Sequence, residues 1–499
     1  MKRTLGRAAP VLALALVAAA CDQGLTELNV DPNNPPFVAA PAILPEAQQD
    51  AINRALGSNF NLTMMGLWSQ SFAKIQYIDE DRYRLRSTTL DAHWAGFYSN
   101  ALQDFQKIIE QGDSVGRPNW TAIGSIMQQW TFQIVTDTWG DVPYSEALQG
   151  AANTTPKYDA QKDIYYGMMA KLAAASAMIQ PGGVSFGAED GIYGGNMVAW
   201  RRFSNSLRLR MAMRISNVDP NKARTEFLAA LAPAAGGVFT SNADNAGLHY
   251  SGAVPSDNPI YAVFHEGQRY DQVISKTTVD SLKNLNDPRL AVYADPAPNP
   301  AGCDDGGTPF TTRVDSLYCG YPNGTVTAEF FDKLSPIGAA FKEDPTAPSW
   351  LMTYSEVLFL RAEAAAKGWT GENAADLYRQ GIRASMEQWG ISDAEITAYL
   401  AQPAVAYAGL RSIYMQKWIS LYGNGPEQFA SWRRETVNGG QHAPHLTPAP
   451  QATTQVIPYR VYYPASEQST NADNWSAAVT ANGGATLYDK RVWWASVLP

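Results

Sequence analysis

The chain has 499 residues, 45% hydrophobic and 17% charged, so it is long enough to bury a large core. Its formal net charge is −9, and basic residues cluster only near the N-terminus. Because binding to phosphates needs a basic surface, this balance excludes a typical nucleic-acid-binding protein. The 14 Trp, 24 Tyr and 17 Phe make the chain rich in rings, which pack cores and also line sites for sugars or peptides.

The N-terminus has the features of an export signal. Basic residues in the first seven positions precede an apolar run, Val11–Ala20, which is too short to span a bilayer. The run ends in Val-Ala-Ala-Ala-Cys and resembles a bacterial lipobox, although Ala18 stands where leucine is preferred. We therefore predict a signal peptide over 1–20 and a lipid anchor on Cys21. Simple Ala-x-Ala cleavage, which leaves a soluble protein, is the alternative.

The cysteine count favours lipidation. If Cys21 carries the lipid, Cys303 and Cys319 are left to pair across a loop rich in Gly, Asp and Thr. In a compartment where disulfides persist, we predict this bond, which is worth roughly 3 kcal/mol in the chain-entropy model. Residues 21–40 are polar and rich in proline and asparagine, which predicts an extended, lipidated tether.

Helical periodicity dominates from Pro41 onward, with apolar residues at three- and four-residue steps. The pattern predicts helices over Asp91–Gln111, Trp120–Thr138, Ala160–Ile179 and Asn196–Ser216. Asp219-Pro220 then supplies a capping side chain and a first-turn proline, which together predict the start of the next helix.

The second half of the chain begins with a loop-rich region over about 236–348, dense in Gly, Pro, Asn and Asp, with short β-like pieces such as 325–327. Helices resume at the capping pattern Thr353–Glu356. Further helices are predicted over Asn373–Trp389, from Ser392 and over Val405–Tyr422, and the stretch Gln441–Pro499 is predicted to be proline-rich coil. Small residues at helix crossings indicate tetratricopeptide-like helix pairs within one domain over 41–499.

Several segments, in order along nearly the whole chain, resemble a known family. They are Leu28–Pro35, Thr138–Ala147, Pro156–Asp159, Trp200–Arg210, Met213–Ser216, Tyr354–Glu363, Gln416–Trp418, Trp432–Arg434 and Tyr463–Pro464, with Arg460, Glu467 and Asn471. The ordered set is similar to the SusD/RagB family of outer-membrane nutrient-binding lipoproteins, in its SusD-like branch.

The resemblance implies an all-α fold, a tetratricopeptide-like scaffold with a large loop-rich lobe that contains minor β-structure. It also implies a binding protein without catalytic activity or cofactor. Such a protein sits on a SusC-like TonB-dependent β-barrel porter, facing the cell exterior, and hands over oligosaccharides or peptides.

Two groups of family residues also have a structural explanation. In Trp139–Tyr144, glycine, aspartate and proline suit a tight turn. The arginines among apolar helix positions, Arg208, Arg210 and Arg214, are expected to pair with helix carboxylates such as Glu356 or Glu363. A clamp for an anionic ligand is the alternative for these arginines.

Catalytic and metal motifs are weak. Gly183–Gly187 spells G-x-S-x-G but lacks the strand that a nucleophile elbow needs. The five histidines are scattered, so no metal site is predicted. Carboxylate pairs such as Asp137 with Asp141, or Asp79 with Asp81, fit a glycoside hydrolase only if a cleft brings them together.

For ligand binding we favour rings on loops, since a flat ring face can stack on a sugar or a peptide side chain. The segment from Trp68 to Trp94 offers these two tryptophans together with Tyr77 and Tyr83. Among these four rings the two tyrosines are favoured. The loop-rich region adds Tyr261, together with Tyr250 and Tyr270. A secreted glycan-degrading enzyme and a periplasmic helical-repeat scaffold remain the alternative functions.

Overall fold

The protein is described from a computed structural model, over residues 38–300, 317–325, 331–435, 444–452, 456–484 and 490–496. The predicted signal peptide, Cys21, nearly all of the tether and Cys303 lie outside these ranges, so the predicted lipid and disulfide stay predictions. Within the described ranges, no helix combines the length and apolar character needed to cross a membrane.

The first half of the chain is a succession of packed helices. They are α1 (Ala40–Leu56), α2 (Gly66–Trp68), α3 (Ser87–Ala95), α4 (Gln103–Ser114), α5 (Pro118–Trp139), α6 (Gln161–Met178), α7 (Met197–Arg214) and α8 (Pro220–Leu231). Two π-helical stretches, Ser58–Met65 and Gly96–Leu102, interrupt them. From α4 to α8 each helix packs against the next, as in a helical repeat.

The second half begins with short helices and returns to longer ones. They are α9 (Pro259–His265), α10 (Lys276–Asn284), α11 (Leu290–Tyr293), α12 (Ala339–Lys342), α13 (Tyr354–Ala366), α14 (Ala374–Gln388), α15 (Asp393–Leu400), α16 (Leu410–Ser420), α17 (Gly425–Glu435), α18 (Glu467–Thr470) and α19 (Ala472–Ala481). Helices α13 and α14 form a close antiparallel pair. The glycine at 381 permits this approach, since a Cβ atom there would lie only 2.8 Å from the Phe359 ring.

Across the described part of the chain, three two-stranded antiparallel sheets join distant loops. Strand β1 (Phe72–Lys74) pairs with β5 (Gln272–Ile274), β2 (Val142–Pro143) with β3 (Tyr158–Asp159), and β4 (Ala246–Leu248) with β6 (Ser349–Met352). The mainly helical fold with minor β-structure is the predicted one.

Several helix starts follow the predicted capping chemistry. The Asp219 side chain accepts a hydrogen bond from the backbone N–H of Lys222, with Pro220 in the first turn of α8. Ser392 and Glu395 form a reciprocal capping box at α15. These helices begin where the sequence indicates because short polar side chains satisfy otherwise unpaired N–H groups.

Buried ion pairs join the long helices of the scaffold. Arg210 of α7 binds Glu356 of α13 through two bonds, Nε–Oε1 at 2.6 Å and Nη2–Oε2 at 2.7 Å. One turn along α7, Arg214 Nη2 lies 2.5 Å from Oε2 of Glu427 on α17. All four side chains are buried, so each charge depends on its partner for stabilisation.

A second set of buried pairs involves α16 and α17. Arg434 donates to both carboxylate oxygens of Glu363, at 2.7 and 2.6 Å, and Lys417 Nζ lies 2.5 Å from Glu435 Oε1. Burial acts to raise the pKa of Glu363, but the charges of Arg434, Lys367 and Lys417 and the hydrogen bonds from Arg434 together outweigh it, and the pKa falls to about 2. Glu363 is therefore ionised at any physiological pH.

These contacts confirm that arginines on the apolar face of α7 pair with helix carboxylates. Glu356 is one of the partners named from the sequence, whereas Glu363 is occupied by Arg434. Arg208 binds Glu226 on the adjacent helix α8, at 2.7 Å. The alternative of an anion clamp is not supported, since these charges are neutralised inside the protein.

Two stretches are more regular than the sequence indicates. The region 236–348 contains α9 to α12 and strands β4 and β5, of which β5 pairs with β1. The interpretation of 441–499 as coil is corrected by α18 and α19. Residues 326 and 327 of the expected strand lie outside the described residues.

We predict that replacing Glu356 with leucine lowers the free energy of unfolding by about 3–5 kcal/mol, because Arg210 loses its bidentate partner and keeps only Glu427, which is 3.5 Å away and already bound by Arg214. The double variant Arg210→Met/Glu356→Leu should recover most of this loss. Urea denaturation followed by circular dichroism measures both values.

The exposed Arg383–Asp393 pair provides the control for this experiment. Arg383→Ala should cost less than about 1 kcal/mol. A double variant that is as unstable as Glu356→Leu alone would contradict the prediction.

Candidate functional site

Two exposed tyrosines lie at one end of the β1–β5 sheet. Lys74 pairs with Gln272, so the loop after β1, which carries Tyr77, and the loop before β5, which carries Tyr270, leave the sheet at the same end. The side chains of Tyr77 and Tyr270 are 66% and 63% exposed. Such rings, held on a folded surface, offer flat faces to a ligand.

Arg269, in the loop before β5, reaches across to the loop after β1. Its guanidinium carbon is 5.2 Å from the centre of the Tyr77 ring, within the range of a cation–π contact. Asp271 holds the guanidinium from the other side through two bonds, at 2.8 and 3.1 Å. Tyr270 packs against Phe264 of α9, with ring centres 5.9 Å apart. We call Tyr77, Arg269 and Tyr270 the tyrosine surface.

A buried carboxylate holds the loop that presents Tyr77. Asp81 accepts hydrogen bonds from the backbone N–H of Lys74, at 3.0 Å, and from Nδ2 of Asn323, at 2.8 Å. Asn323 Nδ2 also donates to the carbonyl of Phe72, at 2.7 Å. Two turns that are distant in sequence are therefore tied to the end of β1.

Burial raises the pKa of Asp81 from 3.8 to about 6, although the hydrogen bonds from Asn323 and Lys74 act to lower it. Between these two values the folded protein binds a proton that the unfolded chain does not bind. Asp81 therefore contributes most to the stability of the folded state at acidic pH.

The backbone on both sides of the tyrosine surface adopts the left-handed conformation. Tyr77 has φ of 53° and Gln268 has φ of 48°. Residues with side chains rarely adopt this conformation unless their surroundings impose it, and such strain is frequent at ligand sites. The Lys74 ammonium helps to hold the backbone at Tyr77, because it donates a hydrogen bond to the Tyr77 carbonyl at 3.2 Å.

Three of the rings predicted to bind ligand are inside the protein. Trp68 is fully buried, and Tyr83 and Trp94 are each 5% exposed. Trp68 Nε1 donates to the carbonyl of Glu80, and the Tyr83 hydroxyl accepts from the N–H of Ala449. These rings therefore have no free face for a ligand, and the prediction is corrected: Trp68 and Tyr83 support the loop, while Trp94 packs in the core.

Tyr77, Tyr261 and Tyr270 remain candidates, with different exposure. Tyr261 is half-buried on α9, and the His265 imidazole stacks on its ring with centres 4.3 Å apart. Tyr250 is buried, and its hydroxyl bonds to Asn53 and Ser349. The ring of Tyr77 is the most accessible of the predicted set.

Arg269 was not predicted from the sequence. The sequence did contain a signal for a surface position here, because Arg269-Tyr270-Asp271 places a ring between opposite charges directly after Gly267-Gln268. An aromatic residue flanked by charges in a polar turn is poorly suited to a core position. The cation–π contact with Tyr77 could not be inferred, since it joins segments almost two hundred residues apart.

Of the four carboxylates named for a hydrolase, Asp81, Asp137 and Asp141 are engaged in hydrogen bonds, while Asp79 lies exposed on the surface. Asp137 is buried and accepts a hydrogen bond from Trp494 Nε1 at 2.8 Å, and Asp141 accepts one from the N–H of Gln161 at 2.8 Å. Ser185 of the G-x-S-x-G motif donates to the carbonyl of Gly195. Among the described residues, no three His, Cys, Asp or Glu side chains converge as metal ligands.

Comparison with known proteins agrees with this architecture. The family model SusD-like_2, described as "Starch-binding associating with outer membrane", matches residues 32–464. The chain belongs to the SusD-like family. The description is that of binding proteins rather than enzymes, in agreement with the expectation of a non-catalytic protein.

Solved SusD-like structures superpose on nearly the whole chain. A chitin-binding protein is 30% identical, with a TM-score of 0.79 over 92% of this chain and 100% of that one. A chitin-binding SusD homologue from Flavobacterium johnsoniae is 25% identical, with a TM-score of 0.77 and coverage of 91% and 99%. A SusD homologue from Bacteroides fragilis is also 25% identical, with a TM-score of 0.77 and coverage of 93% and 100%. None of the curated protein sequences matches the chain.

We predict that Asp81 makes stability depend on pH. Because its folded-state pKa, about 6, lies above 3.8, its contribution to stability is full below pH 3.8 and is lost as the pH rises through 6. Relative to Asp81→Asn, the wild-type free energy of unfolding should fall by about 2–3 kcal/mol between pH 4 and pH 7. Urea titrations at several pH values measure this difference, and a constant difference would contradict the prediction.

Proposed function

We propose that this SusD-like protein is a lipid-anchored outer-membrane protein that binds oligosaccharides at the tyrosine surface and delivers them to a TonB-dependent porter. The observation that carries the proposal is the pair of exposed rings, Tyr77 and Tyr270, at one end of the β1–β5 sheet, with the Arg269 guanidinium against the Tyr77 ring. Sugar rings have flat C–H faces that pack on aromatic rings, and their hydroxyl groups accept hydrogen bonds from a guanidinium.

The choice of glycans rather than peptides rests on the relatives. The family description names starch, and two similar structures are of chitin-binding proteins. Chitin oligosaccharides are therefore the first ligands to test, followed by starch oligosaccharides. A peptide ligand would be expected to meet a site with more charged groups than this one offers.

Membrane attachment and the porter are supported by different observations. The family is described as associating with the outer membrane, and Cys21 ends a lipobox-like segment. A lipid on Cys21, followed by a polar tether, leaves the folded domain free to cover the mouth of a porter at the cell surface. The scaffold alternative lacks such support, because it gives no role to the exposed rings.

We predict that the tyrosines contribute separately to glycan affinity. Tyr77→Asn, which suits the left-handed backbone, and Tyr270→Ala should each raise the Kd for chitohexaose about fivefold, or about 1 kcal/mol. The double variant should raise the Kd about 25-fold. Isothermal titration calorimetry measures these values.

Tyr407→Ala is the matched control, because Tyr407 is half-buried against Tyr378 in the loop before α16. Its affinity should equal that of the wild type. Equal affinity of the double variant and the wild type would exclude the tyrosine surface as the glycan site.

We also predict that the full-length protein has a porter partner and a lipid. Affinity isolation of the tagged protein from native membranes should recover a TonB-dependent β-barrel in stable proportion. Labelling with an alkyne fatty acid should mark the wild type and not Cys21→Ser. Recovery of the labelled protein alone would argue against delivery to a porter, and an unlabelled wild type would favour Ala-x-Ala cleavage.

A further inference from the structure

A cavity lies beside the N-terminal end of α9. It has a volume of about 310 Å³ and lies between α9, α12, strand β6, the end of α14 and the loop 420–424. This volume is at the small end of the range for ligand pockets, so the cavity admits one or two rings rather than a long chain.

Aromatic side chains form much of its lining. Phe341 and Tyr422 are almost completely buried, with ring centres 5.1 Å apart, and Trp389 packs on Phe341 at 4.8 Å. Trp389 and Trp350 are half-buried and line the cavity. The inner rings therefore support the wall, while the two tryptophans keep surface for a ligand.

Most polar side chains in the lining are already satisfied within the protein. Glu356 is bound by Arg210, and Asn258 and Thr353 accept hydrogen bonds as caps of α9 and α13. Asn424 donates to the carbonyl of Trp350 at 3.1 Å. These groups shape the cavity but have little capacity left for a ligand.

Two polar groups in the lining remain free for a ligand. Asp344 uses Oδ1 to accept from the N–H and the hydroxyl of Thr346, at 2.8 and 2.7 Å, and its Oδ2 accepts nothing from the described residues. These bonds hold the pKa of Asp344 below its ordinary value, so the group is a carboxylate. The Gln388 side chain makes no hydrogen bond within the same part of the chain, and it is half-buried.

The charge of the lining restricts the ligand. Among the described residues that line the cavity there is no lysine or arginine, and Glu356 is neutralised by Arg210. Asp344 is then the charge that a ligand meets. Phosphates, carboxylates and acidic sugars would be repelled, whereas a neutral molecule with a flat apolar face and hydroxyl groups fits.

We propose that this cavity is a second sugar site, which takes one or two pyranose rings of a neutral glycan. Trp350 and Trp389 stack on the ring, and Asp344 and Gln388 bind its hydroxyl groups. The proposal rests on the glycan-binding function proposed above, but it concerns different residues. Helix α9 contacts both sites, since Ile260 lines the cavity and Phe264, one turn later on the same face, contacts Tyr270.

The test compares a short and a long ligand by isothermal titration calorimetry. Chitobiose should bind the wild type, and Trp389→Ala should weaken its binding at least tenfold. The Tyr77→Asn/Tyr270→Ala variant should keep chitobiose affinity within about twofold of the wild type, although it binds chitohexaose more weakly.

Because Trp389 also packs against the core, a second variant avoids a folding defect. Asp344 is exposed, and Asp344→Asn keeps an oxygen that can accept from Thr346, so this variant should fold normally. It should weaken chitobiose binding about fivefold. Trp369→Ala is the matched control, since Trp369 is half-buried against Phe227 beyond the far end of α13, about 20 Å away along that helix. It should leave both affinities unchanged.

Each outcome separates the two proposals. Chitobiose binding that is unchanged in Trp389→Ala and Asp344→Asn would overturn the second site, while a loss of chitohexaose binding in the tyrosine variant would still support the first. If neither chitobiose, chitohexaose nor maltohexaose binds the wild type, the glycan-binding function itself fails, and the second site with it.

Discussion

The buried ion pairs are the constraint on which the arrangement of the long helices depends. Arg210 and Arg214 project from α7 to carboxylates on α13 and α17, and Arg434 returns from α17 to α13. Taking such charges out of water is costly, and only close, bidentate contacts offset that cost. Helices α7, α13 and α17 can therefore meet in few ways, because a shift of a few ångströms would leave several charges unpaired at once.

The scaffold and the tyrosine surface consequently belong to different kinds of structural element, helices in the first case and loops in the second. Most of the paired charges lie in the helical segments that resemble the family, and those segments contribute only Glu356, which Arg210 already binds, to the lining of the cavity. The tyrosine surface lies on loops held by their own anchors, Asp81 and Asn323. Loops with independent anchors can change their rings without disturbing the helices, which suits a fold that serves many ligands.

Much of the scaffold could be predicted because helices and caps leave local signals. Periodicity located the long helices, and a charge on an apolar helix face implied a buried partner. The exact partner depended on contacts between distant segments, so Glu427 could not be assigned to Arg214. The helices α9 to α12 have four to nine residues, too few for a clear period. Ring exposure likewise depends on tertiary packing, which is why Trp68 resembled a site residue and proved to be fully buried, while Trp350 and Trp389 gave no sign of lining a cavity.

The shortness of α9 has a consequence for selectivity. Its seven residues span about 10 Å, with Ile260 near its start lining the cavity and Phe264 near its end contacting Tyr270. When both places hold parts of one glycan, the second contact becomes intramolecular and adds to affinity without any change in either site. A glycan too short to pass the helix gains nothing from it. The length of the helix would then set the shortest glycan that can occupy both sites. The protein would therefore discriminate among glycans by their length as well as by the identity of their sugars.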